Sequence, residues 1–63
     1  MNNNIDNRNL RGVVIPNFSN SEFTKDNIYN IIAVLGFKYV EVKSNSGETV
    51  VIDIDDKRYK IIL

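Results

Sequence analysis

Four acidic residues in the last third of the chain form its densest group of side chains that could do chemistry. Glu48, Asp53, Asp55 and Asp56 could provide a general acid–base pair or hold a hard cation. Their spacing lacks the central glycine and the closing glutamate of a calcium-binding loop. Basic residues are interleaved with them and can neutralise them. We therefore interpret this group as a charged outer strand face and a turn.

The residue types that most often carry catalysis or bind metals are missing. The 63 residues contain no His and no Cys, which removes the usual zinc ligands and the usual nucleophile–base pairs. The three glycines, Gly12, Gly36 and Gly47, are isolated, so no glycine-rich phosphate loop is formed. We therefore expect a protein that is not an enzyme and that binds no cofactor and no metal.

Charge and length narrow the remaining function classes. The chain has 8 Lys plus Arg and 8 Asp plus Glu, and this zero net charge argues against a general polyanion binder. A domain of this size buries only about 60% of the surface that its unfolded chain exposes. Small domains without disulfides or metals commonly gain stability from self-association or from a partner. A protein partner is therefore the first functional expectation.

The N-terminal segment and the short apolar runs predict a cytoplasmic location. The segment 1–6 has neither the basic start nor the apolar run of a secretory signal, and the longest apolar run, Ile31 to Leu35, is too short to span a membrane. The 9 Ile against 3 Leu and the 10 Asn suggest an AT-rich coding genome. This composition fits a bacterium of that type, or a phage or mobile element within it.

The middle of the chain has the pattern of an amphipathic helix. Residues 19–22, Ser-Asn-Ser-Glu, have the spacing of a capping box. Ile28, Ile31, Ile32 and Leu35 follow at i, i+3, i+4 and i+7, and Gly36 stands where a helix commonly ends. The sequence predicts a helix over about 21–35. Residues 1–9 are predicted to be a disordered tail, and 10–63 a single domain.

Four segments are predicted to be β-strands: 11–16, 37–43, 48–54 and 58–63. The loop 45–47, with Gly47 in the left-handed position, favours a hairpin that pairs Val42 with Val50. The alternation of apolar residues then favours a second hairpin with Ile54 opposite Tyr59, since a one-residue slip would bury charges. That register puts Val51 opposite Ile62. It also puts Asp53 opposite Lys60 and Asp55 opposite Arg58.

The predicted fold class is therefore α+β, a single helix packed on a mostly antiparallel sheet in the order β-α-β-β-β. A right-handed crossover through the helix would make the first strand parallel to its neighbour in the sheet. That neighbour is either segment 37–43 or segment 58–63. The sequence does not choose between them.

The sheet face opposite the helix is the predicted binding surface. It should expose a small apolar patch with a charged rim, formed by Tyr39, Val51, Ile62, Lys60 and Glu41. The edge of segment 58–63 would be open to a second copy unless the first strand pairs with it.

We expect a small protein-binding module of phage or mobile-element type. It would act as an inhibitor or accessory protein on a host protein or complex and would form a homodimer. One alternative is a nucleic-acid-binding domain, because a helix followed by a three-stranded meander also begins the double-stranded-RNA-binding arrangement. The second helix of that arrangement has no counterpart in the sequence. The other alternative is a structural protein without autonomous activity.

Overall fold

The computed structural model describes residues 12–63, and in this range it contains five β-strands and no helix. All neighbouring strands are antiparallel, and they form one curled sheet, a half-barrel, in the order β4-β3-β2-β1-β5. The predicted α+β class and its β-α-β-β-β order are wrong. The predicted tail, 1–9, lies outside the described residues. The strands are β1 (Val13–Pro16), β2 (Tyr29–Leu35), β3 (Tyr39–Lys43), β4 (Thr49–Asp53) and β5 (Tyr59–Ile62).

The segment predicted to be a helix contains a long loop and then β2. Within β2 the burial alternates, since Tyr29 and Ile31 are buried whereas Asn30 and Ile32 are exposed. Ile28, which would begin the apolar helix face, is 66% exposed. The χ1 rotamers of isoleucine and valine are restricted in a helix, whereas these side chains pack well on the pleated surface of a sheet. The apolar spacing of 3 and 4 residues is compatible with a helix, but in the structure these residues form a strand of the sheet.

β2 joins the two halves of the sheet. Its first two residues pair with β1, and the rest of the strand pairs with β3. The register with β3 shifts by one residue between Ile31 and Ala33, which marks a β-bulge at Ile32. A bulge bends a strand and increases its local twist. The bulge therefore lies in the strand that connects the two halves of the curled sheet.

β1 pairs antiparallel with both β2 and β5, so the predicted parallel arrangement is wrong. The N–H of Asn17 donates to the carbonyl of Arg58 at 2.8 Å, which places Pro16 at a non-hydrogen-bonded position opposite β5. The Pro16 carbonyl accepts a hydrogen bond from the N–H of Asp26 at 2.9 Å. β1 therefore ends at Pro16, and the missing N–H of the proline leaves no hydrogen bond of the β1–β5 ladder unmade.

The β3–β4 hairpin confirms the first predicted register. Val40 lies opposite Ile52 and Val42 opposite Val50. Gly47 has φ 88°, the left-handed conformation that the turn requires.

The second predicted hairpin is wrong, because β4 and β5 lie at opposite edges of the sheet. Tyr59 instead pairs with Pro16, and Ile61 pairs with Val14. The alternation in β5 correctly indicated which side chains face inward. It carried no information about which strand would lie beside them.

Aromatic side chains of the β1–β2 loop (residues 17–28) fill the place that the helix was expected to occupy. Phe23 is only 1% exposed. Its ring makes edge-to-face contacts with Tyr29, Tyr59 and Phe18, at centroid distances of 5.0, 5.7 and 6.3 Å. The buried core consists of Val14, Phe23, Tyr29, Ile31, Val40, Val42 and Ile52.

Polar groups hold the β1–β2 loop in place. The Asn20 carboxamide oxygen accepts hydrogen bonds from the N–H groups of Glu22 and Phe23, both at 2.8 Å. The Ser19 hydroxyl accepts a bond from the N–H of Lys25 at 2.8 Å. These polar side chains can cap either a helix or a turn, since in both cases they accept from nearby N–H groups. The residues of the apparent capping box therefore organise a loop.

Tyr29 connects this loop to the β3–β4 turn. Its hydroxyl accepts from the N–H of Thr24 at 2.7 Å and donates to the Asn45 side-chain oxygen at 2.8 Å. The N–H of Asn45 in turn donates to the carbonyl of Glu22 at 2.8 Å. Two segments that are distant in sequence are thus held together over the core.

Candidate functional site

The outer face of strands β2, β3 and β4 exposes apolar side chains in neighbouring positions. Leu35 lies directly opposite Tyr39, and the next row of that face places Val51 opposite Glu41. Tyr39 and Val51 are diagonal neighbours across β3 and β4, because Tyr39 pairs with Asp53. Leu35, Tyr39 and Val51 are 38%, 43% and 51% exposed. They face away from the core.

The β2–β3 turn adds a further apolar side chain at the end of this face. Gly36 has φ 64°, a left-handed conformation, and it belongs to a strand turn and not to the predicted helix end. Phe37 follows and is 100% exposed. We use the term outer patch for Leu35, Phe37, Tyr39 and Val51.

Charged groups border the outer patch. The Lys38 ammonium lies 3.4 Å from an Asp53 carboxylate oxygen and 3.9 Å from one of Asp55. The hydrogen bond with Asp53, reinforced by the charge of that carboxylate, raises the pKa of Lys38. The carbonyl of Lys38 also accepts from the N–H of Ile54 at 2.8 Å, which ties the turn to the end of β4. The half-buried Glu41 completes the polar part of this face.

The structure divides the predicted site into two parts. Tyr39, Glu41 and Val51 lie together on the outer face of β3 and β4. Ile62 and Lys60 lie on β5, at the opposite edge of the sheet. They pair there with Val13 and Ile15 respectively, so the predicted contact between Val51 and Ile62 does not form.

Sequence reasoning missed two members of the outer patch. The predicted helix places Leu35 on its apolar face, and Phe37 is predicted to begin the strand 37–43. The available signal was the order Leu35-Gly36-Phe37, in which a glycine separates two large apolar residues. In a strand turn this order exposes apolar side chains, whereas at a helix end it would bury them. Whether Leu35 and Phe37 are exposed or buried therefore depends on whether the segment before Gly36 is a strand or a helix.

The acidic group forms local turn structure. An Asp53 carboxylate oxygen accepts from the N–H of Asp55 at 2.8 Å, and both Asp56 carboxylate oxygens bind the Arg58 guanidinium, at 2.8 and 3.1 Å. The hydrogen bonds from Arg58 lower the pKa of Asp56. The predicted pairs of Asp53 with Lys60 and of Asp55 with Arg58 are wrong. Within residues 12–63, no three acidic side chains are grouped so that they could hold a metal ion.

The Arg58 side chain also packs on two aromatic rings. Its guanidinium carbon lies 5.3 Å from the centroid of Phe18 and 5.5 Å from that of Tyr59. Cations at these distances are attracted by the face of a ring. Arg58 therefore helps to join the β1–β2 loop to β5.

The chain matches no protein-family model, no curated protein and no solved structure in the comparisons made with known proteins. The described part of the chain contains no helix that is long and apolar enough to cross a membrane. The chemistry of the exposed surface is therefore the basis for a functional proposal.

Proposed function

We propose that this chain is a small protein-binding module that docks its outer patch on another protein and acts as an inhibitor or accessory subunit. The observation that carries the proposal is the fully exposed Phe37 at the end of a face that also exposes Leu35, Tyr39 and Val51. Contiguous exposed apolar surface marks interaction sites in soluble proteins. Aromatic residues supply a large part of the binding energy in such sites.

The outer patch lies apart from the buried core. Its side chains lie on the face opposite the buried Val40 and Ile52 or, for Phe37, in the turn. Burying one phenylalanine side chain yields about 1.5–3 kcal/mol. The hydrogen-bonded strands already hold Leu35, Tyr39 and Val51 in place, which lowers the entropy lost on binding. Both effects favour association with an apolar surface.

A protein partner fits this surface better than a nucleic acid does. Lys38 is paired with Asp53 and Asp55, and Arg58 is paired with Asp56. Nucleic-acid affinity comes largely from cations that neutralise phosphates. Two of the basic side chains are thus already neutralised by neighbouring carboxylates, and the net charge is zero.

A comparison of two alanine variants tests the proposal. Phe37→Ala removes the exposed ring of the outer patch, and Ile62→Ala removes an exposed apolar side chain, 47% accessible, at the opposite edge of the sheet. Immobilised wild type is used to recover partners from a host lysate, and the affinity of each recovered partner is then measured by calorimetry. We expect Phe37→Ala to weaken binding about tenfold or more. Ile62→Ala should bind like the wild type.

Two results would refute the proposed role of the outer patch. One is a partner that binds Phe37→Ala and Tyr39→Ala as tightly as it binds the wild type. The other is a salt-sensitive mobility shift with DNA or RNA probes when no protein partner is recovered. The second result would support the nucleic-acid alternative.

A further inference from the structure

β4 is an edge strand whose outer side carries no pairing partner among residues 12–63. It comes first in the strand order, and within the described range its only neighbour is β3. Its sequence, Thr-Val-Val-Ile-Asp, contains neither the proline nor the lysine with which proteins commonly protect such edges. An exposed row of backbone donors and acceptors is a template for a further strand.

The hydrogen bonds of the hairpin show which backbone groups of β4 point outward. The N–H of Ser44 donates to the carbonyl of Glu48 at 2.8 Å, and the N–H of Ile54 donates to the carbonyl of Lys38 at 2.8 Å. Hydrogen-bonded pairs alternate along an antiparallel ladder. Val50 and Ile52 therefore bond to β3, whereas Thr49, Val51 and Asp53 direct their N–H and C=O groups away from the sheet. The Asp53 carbonyl accepts from the N–H of Asp56 at 3.0 Å and keeps a second lone pair.

We propose that β4 pairs with β4 of a second copy of this chain, antiparallel and centred on Val51. A symmetric pair must match outward-pointing residues with outward-pointing residues. Only the register centred on Val51 does this and also pairs all five residues of the strand. It places Val51 opposite the partner's Val51 and Thr49 opposite the partner's Asp53. About six new backbone hydrogen bonds result, two at the centre and two at each end.

The side chains are self-complementary in this register. The Thr49 hydroxyl lies opposite the carboxylate of the partner's Asp53, a donor opposite an acceptor. Val50 lies opposite the partner's Ile52, which brings two apolar residues together on the inner side. No like charges face each other within the paired strands. The partner is therefore a second copy of this chain, because the same five residues supply both sides of the contact.

The other edge of the sheet is less suited to this role. In β5, Lys60 is an exposed charge within the strand, and the N–H of Tyr59 already donates to the carbonyl of Asp56 at 3.1 Å. Pairing at β4 also places the two copies' Val51 side chains together on the outer face, so that the two outer patches become neighbours. The proposal does not depend on partner binding by the outer patch, because it concerns the purified chain alone.

Two single-cysteine variants test the register. The natural chain has no Cys, so Val51→Cys and Thr49→Cys each introduce one thiol. Facing Cα atoms of a hydrogen-bonded pair are about 5.5 Å apart, which a disulfide can bridge. Two copies of residue 49 would be separated by four residues along the strand, about 14 Å. In a glutathione redox buffer we expect Val51→Cys to form a covalent dimer at least tenfold faster than Thr49→Cys.

Amide exchange and sedimentation test the same contact in the wild type. At high concentration we expect a twofold rise in mass over the 7.2 kDa of one chain, together with slowed exchange of the Val51 N–H. The Val50 N–H should be protected at every concentration. Val51→Pro, which removes an outward N–H, should keep the protein monomeric. The proposal would be overturned if both cysteine variants cross-linked at the same rate. It would also be overturned by a monomer whose Val51 N–H exchanges rapidly at all concentrations. Loss of partner binding alone would refute the proposed function of the outer patch but not the β4 pairing.

Discussion

Two phenylalanines of this chain, Phe23 and Phe37, have opposite environments and provide a matched test of the fold. Phe23 is 1% exposed and contacts three aromatic rings, whereas Phe37 is 100% exposed in the β2–β3 turn. Replacing each by alanine removes the same atoms. The free energy of unfolding should nevertheless change very differently in the two variants.

The expected magnitudes follow from burial. A buried phenylalanine replaced by alanine costs about 3–5 kcal/mol, because contacts are lost and a cavity remains. A domain of this length has about 3–9 kcal/mol of total stability, at about 0.05–0.15 kcal/mol per residue. Phe23→Ala should therefore remove between about a third and all of the stability. Phe37→Ala should change it by less than about 0.5 kcal/mol.

Urea unfolding followed by circular dichroism measures both values. Because Phe23→Ala could unfold the chain completely, Phe23→Leu serves as a milder variant that keeps an apolar side chain but loses the edge-to-face contacts. We expect Phe23→Leu to cost about 1–2 kcal/mol. For a domain of this size that corresponds to a fall in melting temperature of about 4–16 °C.

Equal destabilisation of the protein by Phe23→Ala and Phe37→Ala would refute this prediction. Equal effects would mean that the β1–β2 loop does not bury Phe23 over the core. A large loss of stability in Phe37→Ala alone would be equally damaging. It would also remove the basis for using that variant as a probe of partner binding.

Three further predictions concern hydrogen bonding, backbone conformation and pH. Tyr29→Phe should cost about 1–3 kcal/mol in urea unfolding and speed exchange of the Thr24 N–H, because the hydroxyl that accepts from it is lost. Gly12→Ala should lower the melting temperature markedly, since φ is 100° there and an added methyl group would meet the backbone of β5. Arg58 lowers the pKa of Asp56 from its ordinary value of 3.8. The ion pair therefore stabilises the folded state at pH values above 3.8, and this stabilisation is lost as the pH falls through the lower pKa of the folded state. In Arg58→Gln, carboxyl titration by NMR should show the pKa of Asp56 returning toward 3.8.

The outer patch and the β4 edge both include Val51, but they use different groups of this residue. Its side chain belongs to the outer patch, whereas its backbone N–H and C=O belong to the edge. Substitution of Tyr39 perturbs only the patch, and Val51→Pro perturbs the edge most directly. Variants chosen in this way can show whether a dimer presents two binding surfaces or each copy binds alone.

The β3–β4 hairpin shows what could be predicted locally. The turn residues Asn45-Ser46-Gly47 lie between two apolar runs, and they determined both the turn and the register of Val42 with Val50. Every interaction needed for that inference lies within a few residues along the chain. The placement of Tyr39, Glu41 and Val51 on one outer face followed from it.

Residues 17–35 show where local reasoning was insufficient. Ser19, Asn20 and Glu22 fit both a helix start and a loop, and the isoleucines that follow fit both a helix face and a bulged strand. In the structure this loop buries Phe23 in the core, where its ring contacts Tyr29 and Tyr59. Pattern reasoning from a single segment does not include that distant contact.

The sequence by itself therefore determined the small size, the zero net charge, the lack of His and Cys, the β3–β4 hairpin and the inward or outward direction of side chains in most strands. The tertiary structure decided which strands are neighbours. The alternation of apolar and polar residues predicts which face of a strand each side chain occupies, because the backbone geometry of the strand directs successive side chains to opposite faces. Strand order depends instead on how segments distant in sequence pack around one core. For this reason Val51 and Ile62, predicted to touch, lie at opposite edges of the sheet, and the outer patch instead extends through Tyr39 and Leu35 to Phe37.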